Sequence, residues 1–99
     1  MKLIIAIVRP FTVEKIINAF EDIEGFPGMT VIDSEGFGQR LKNTTTDVLD
    51  PLKPNKQLEI VTNEELVEPI ISAIKEQAHT GRKGDGFIIV LNIEDLTLI

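Results

Sequence analysis

Apolar and polar positions divide this chain into alternating strand-like and helix-like stretches. Leu3 to Val8 is apolar at every position and rich in β-branched residues, and Arg9-Pro10 stops it, so Lys2 to Val8 is predicted to be a buried strand. Val13, Ile16, Ile17, Phe20 and Ile23 then recur at helical spacing, with Thr12 placed as an N-cap and Gly25 closing the pattern. Phe26-Pro27-Gly28 signals a turn. Met29 to Gly38 reads as a strand whose Gly36 and Gly38 weaken its end or admit close backbone approach.

Residues 39–55 are polar, carry Pro51 and Pro54 and lack either periodicity, which predicts a long flexible loop. Lys56 to Thr62 alternates as a strand. Thr62-Asn63-Glu64-Glu65 fits a capping box, and Leu66, Val67, Ile70, Ile71, Ile74 and Ala78 then mark one face of a second helix. Pro69 removes a backbone donor there and predicts a bend or a ragged first turn. Phe87 to Ile93 is the last apolar strand.

The order βαββαβ predicts a single α+β domain of ferredoxin-like type, a four-stranded antiparallel sheet with two helices on one face. Leu3 to Val8 and Phe87 to Leu91 are apolar at consecutive positions, so both faces of the sheet call for burial. Two helices cover only one face. The other is predicted to meet further subunits, because apolar patches of that extent are uncommon on soluble monomers.

Composition narrows the partners. The 99 residues suffice for one core, and a net charge of −6 argues against a general nucleic-acid or anionic-membrane surface, leaving proteins and small molecules. No cysteine is present, which excludes disulfides and thiolate chemistry and fits a reducing, cytoplasmic setting. The apolar opening is superficially like a signal peptide, yet Arg9-Pro10 falls where more apolar residues belong. With His79 as the single histidine, no tightly bound metal is expected and the inventory for acid-base or nucleophilic catalysis is thin, so the chain is not expected to be an enzyme. Glu14, Glu21, Asp22 and Glu24, like Glu64, Glu65, Glu68 and Glu76, flank apolar stripes and read as solvated faces.

Two glycine-marked segments remain. Thr80-Gly81-Arg82-Lys83-Gly84-Asp85-Gly86 could gather backbone N–H groups around phosphate oxygens while Arg82 and Lys83 supply countercharge. On its own it is equally an ordinary helix-ending turn. It is not a Walker A loop, since no Gly-Lys-Ser/Thr occurs. Gly36-Phe37-Gly38-Gln39-Arg40 is the second candidate, with a bulge before a loop as the plainer reading.

Taken together and in order, Ile7-Val8-Arg9-Pro10-Phe11, Gly28-Met29-Thr30-Val31, Gly36-Phe37-Gly38 and Thr80 to Gly86 resemble the PII nitrogen regulatory proteins over nearly the whole chain. The resemblance implies a homotrimer that binds an adenine nucleotide (ATP, ADP or AMP) in clefts between subunits. It also implies a protein effector, such as a membrane transporter or a nitrogen-metabolism enzyme, contacted by the 39–55 loop. It places Ile7, Gly36, Gly38 and Val61 on the adenine side, Thr30 and Glu59 on a facing subunit, and Gly84, Asp85 and Gly86 at the phosphates. Phe37, Gln39, Arg40, Arg82 and Lys83 complete the expected nucleotide-binding set.

Departures from the pattern bear on the ligand. Phe87 stands where the family carries a phosphate-binding lysine, and the family's C-terminal arginine pair is not found in Leu96-Thr97-Leu98-Ile99. Gln39-Arg40 reverses the usual Arg-Gln, which moves the glutamine associated with magnesium and 2-oxoglutarate by one place. Charge-assisted contacts contribute about 1.5 to 3 kcal/mol each, so weak or altered nucleotide binding that favours ADP or AMP is expected unless Arg9, Arg40, Arg82 or Lys83 compensates. The chain has no tyrosine, so tyrosine nucleotidylation cannot operate. The alternative is a trimeric interaction protein on the same scaffold, like the divalent-cation-tolerance proteins, that binds no nucleotide.

Overall fold

The computed structural model describes residues 1–38 and 52–99. Strand β1 spans Lys2–Val8, as its apolar run predicts. A 3-10 turn over Pro10–Thr12 leads into helix α1, Val13–Phe20. Thr12 does not cap that helix. Its side chain is buried and its Oγ1 donates to the Arg9 carbonyl at 2.8 Å. The helix also ends before Ile23, which joins the core from the following turn. There Phe20 and Phe26 stack with ring centroids 4.4 Å apart, and Gly25 takes the left-handed φ of 81° that reverses the chain.

Strand β2 is Thr30–Gly36 and β3 is Lys53–Thr62, so β3 begins inside the stretch expected to be loop. Pro54 is tolerated because its segment pairs only with β2, Pro54 opposite Glu35, whereas β1 reaches β3 no further than Lys56. A strand position with one side unpaired does not need the missing N–H. The remainder of the expected loop, residues 39–51, lies outside the described residues.

Asn63, not Thr62, caps the second helix, its side chain accepting the Leu66 N–H at 3.2 Å. Thr62 is the last residue of β3, and its buried Oγ1 has no hydrogen-bond partner among the described residues. A 3-10 turn, Glu64–Leu66, precedes α2, Val67–Ala78. Pro69 is the third residue of α2, where the N–H it lacks would be unpaired in any case, and the helix runs from Val67 through it, the only irregular turn there being the preceding 3-10 segment. Strand β4 is Gly86–Asn92, and just beyond it the Ile93 N–H donates to the Met1 carbonyl.

The sheet order is β2-β3-β1-β4, with every pair antiparallel. Both helices lie on one side. Ile4, Ala6 and Val8 of β1 and Leu58 and Ile60 of β3 are buried against Ile16, Phe20, Ile70, Ile74 and Ala78. Each fully buried Ile or Leu among them contributes about 1.5–3 kcal/mol. The architecture is the ferredoxin-like βαββαβ arrangement.

The other face is open. Strand alternation and register place Leu3, Ile5 and Ile7 there, with Ile32, Val61, Phe87, Ile89 and Leu91 from the neighbouring strands. Phe87 is 57% exposed and Ile32, Ile89 and Leu91 are each at least 40% exposed. The apolar surface is continuous across β1 and β4 and extends to Val61, while Gln57 and Glu59 of β3 and Thr30 of β2 make the rest of this face mixed around Ile32.

Candidate functional site

The Thr80–Gly86 loop is built by a few strong local constraints. After α2 the chain leaves the helix at His79, and Asp85 folds back across the loop to accept the Thr80 N–H at 2.7 Å and the Thr80 hydroxyl. The same hydroxyl accepts the Arg82 N–H at 3.3 Å. Gly81 and Gly84 adopt φ of 84° and 86°, the left-handed conformations for which glycine is the natural residue. These hydrogen bonds from Thr80 come first among the causes that hold the Asp85 carboxyl below its ordinary value, with the Arg9 charge a smaller one.

Arg9 closes the loop from the end of β1. Its Nε donates to the Gly84 carbonyl at 3.0 Å, its Nη2 donates to the Lys83 carbonyl at 2.6 Å, and Nε lies 3.6 Å from the Asp85 carboxylate. This guanidinium is therefore engaged with protein groups, unlike the spare countercharge anticipated for it. Arg82 and Lys83 are exposed in this loop. His79 Nδ1 lies 3.8 Å from the Asp85 carboxylate, so this histidine faces the loop as well as the helix end.

Gly86 has a different function from the other two loop glycines. It is the first residue of β4, opposite Val8, with φ of 124°. A Cβ there would run into the Ile7 carbonyl oxygen and lie 3.0 Å from its carbon. Tight strand packing, invisible in the spacing alone, explains this glycine. Gly36 would bring a Cβ to 2.5 Å from the Asn55 amide nitrogen, a side chain able to move, and a Cβ on Gly38 meets nothing within 4 Å among the described residues.

The predicted site residues separate into two groups within one subunit. Ile7, Gly84, Asp85 and Gly86 meet at the β1 C-terminal end, and Gly36 closes β2 at the same end of the sheet, with Phe37 and Gly38 directly after it. Thr30 and Glu59 are paired directly across β2 and β3, and Val61 stands two residues further along the same face. Val61 pairs with Leu3, four residues from Ile7 and therefore about 13 Å away along β1. Glu59 accepts from Gln57 Nε2 at 2.8 Å, a neighbour that the sequence did not single out although its i, i+2 spacing on a strand places it there. Gln39 and Arg40 lie outside the described residues. Among the described residues no helix is long and apolar enough to cross a membrane.

Comparison with known proteins agrees with this architecture. The family model for nitrogen regulatory protein P-II matches residues 1–99. The nitrogen regulatory protein P-II of Bradyrhizobium diazoefficiens is 40% identical, with 96% of this chain aligned to 88% of its length. That of Azospirillum brasilense is 36% identical over all of this chain and 91% of its own length. The nitrogen regulatory protein P-II 2 of Methanothermobacter thermautotrophicus is 37% identical over all of this chain and 89% of its own. With the sheet order, the glycine loop and whole-length similarity in agreement, the chain belongs to the P-II family of nitrogen regulatory proteins.

Proposed function

We propose that this protein is a trimeric P-II regulator that binds an adenine nucleotide between subunits and transmits its occupancy to a protein partner through residues 39–55. The observation that carries the reading is the division of the expected site. Ile7 and the Thr80–Gly86 loop lie at one end of the open sheet face, while Thr30, Glu59 and Val61 lie further along it. A ligand that uses both groups is best served by a neighbouring subunit, and the apolar open face supplies the surface on which that neighbour packs.

The phosphate end is specialised. Phe87 stands beside Ile7 across β1 and β4, so the position following Gly86 presents an aromatic ring and no charge. Countercharge then rests on Arg82 and Lys83, with Arg9 retained by the loop. The protein therefore favours ADP or AMP over ATP, and 2-oxoglutarate has at most a weak effect. Transport proteins and enzymes of nitrogen metabolism are the partner classes that fit. Calorimetric titration with ATP, ADP, AMP and 2-oxoglutarate tests this. Tighter binding of ADP or AMP than of ATP is expected, and tight magnesium-dependent binding of ATP together with 2-oxoglutarate would contradict it. Absence of binding by all three nucleotides in an intact trimer would instead support a pure interaction protein.

A further inference from the structure

We propose that Arg9 is a positioning residue which sets the peptide planes of the Lys83–Asp85 turn and does not itself contact ligand. The inference rests on the nucleotide reading only for its consequence, not for its geometry. Arg9 is fixed at both ends. Its carbonyl accepts from both the N–H and the Oγ1 of buried Thr12, at 3.1 and 2.8 Å, and Pro10 follows it directly. Its guanidinium then reaches across to two successive carbonyls, those of Lys83 and Gly84, while also facing Asp85.

The consequence follows from peptide planarity. Among the described residues no peptide bond is cis, and in a trans peptide the C=O and the N–H of the next residue point to opposite sides. With both carbonyls turned toward Arg9, the N–H groups of Gly84 and Asp85 are directed away from it. The Gly84 N–H is thereby oriented toward the side on which an anion could approach, and Gly84 supplies the φ of 86° this requires. A Cβ on Gly84 would also stand 3.4 Å from Arg9 Nη2, so turn and guanidinium are in direct packing contact. A lysine could supply the charge but not the planar fork that holds two carbonyls together.

The test uses the full chain with Arg9→Gln and Arg9→Lys, read by 15N relaxation without ligand and by calorimetry with ADP. Wild type should show order parameters near the rigid value of about 0.85 at Lys83 to Gly86, falling below about 0.6 in Arg9→Gln and to intermediate values in Arg9→Lys, with sheet amides unchanged. ADP affinity should fall roughly tenfold in Arg9→Gln, and the charge-retaining Arg9→Lys should restore only part of it. Unchanged loop order in Arg9→Gln, or full recovery in Arg9→Lys, would overturn the proposal. A loosened loop with unaltered ADP affinity would overturn its link to the ligand. If wild type binds no ADP, the nucleotide reading fails, and the relaxation measurement still decides whether Arg9 positions the loop.

Discussion

The main chain of Gly86 crosses that of Ile7 so closely that no side chain fits between them: a Cβ on Gly86 would lie 3.0 Å from the Ile7 carbonyl carbon and closer still to its oxygen. This contact joins the last turn of the glycine loop to the strand carrying one of the candidate ligand residues. Gly86→Ala should destabilise the protein by about 2–4 kcal/mol, through backbone collision and a φ of 124° unsuited to alanine. Gly38→Ala, which meets nothing within 4 Å among the described residues, should change stability by less than about 0.5 kcal/mol. Urea unfolding at one fixed protein concentration measures both, and equal effects would refute the distinction.

The open sheet face makes a separate prediction. Ile89 is 42% exposed and lies among Ile5, Phe87 and Leu91 on that face, so a charge there is tolerated by an isolated subunit and not by a packed assembly. If the proposed trimer packs through this face, Ile89→Glu should yield a folded monomer in analytical ultracentrifugation. A variant that remains trimeric would show that the assembly uses another surface.

Asp85 predicts the pH behaviour of the loop. Its carboxyl is held below the ordinary 3.8, first by hydrogen bonds from Thr80, so the stabilisation is fully present above 3.8 and is lost as pH falls through the lower folded value. The Thr80 and Gly81 amide resonances should therefore titrate with a midpoint below 3.8. A midpoint at or above 3.8 would mean that the Thr80–Asp85 bonds do not persist in solution.

Cap and buried hydroxyl at the start of the second helix can be told apart by substitution. Asn63→Ala should cost about 1 kcal/mol, because the Leu66 N–H loses its acceptor. Thr62→Val should be neutral or slightly stabilising, since the Thr62 hydroxyl is buried with no partner among the described residues. Thermal unfolding of the two variants checks this, and a larger loss in Thr62→Val would restore Thr62 as the cap.

Much of this architecture is legible in the sequence because hydrophobic periodicity reports burial directly. Lys2–Val8 falls where its apolar run begins and ends, and consecutive apolar positions in β1 and β4 foretell a sheet with a second face to cover. Cap residues are less legible. Thr12 and Thr62 have the right side chains, yet both are drawn into the protein interior by their neighbours, where burial outweighs capping preference. The start of β3 was hidden by Pro54, whose meaning depends on which strands flank it. Within the site, glycine spacing indicates a loop but cannot distinguish Gly84, which turns the chain, from Gly86, which admits a neighbouring strand. Arg9 is the clearest case, since a contact across 75 positions leaves no local signature.

Native mass spectrometry with and without ADP tests the central claim most directly. The expected result is a particle of three times the 11.0 kDa subunit mass that takes up as many as three ADP molecules. A monomer, or a trimer whose mass does not change in millimolar ADP, would contradict it.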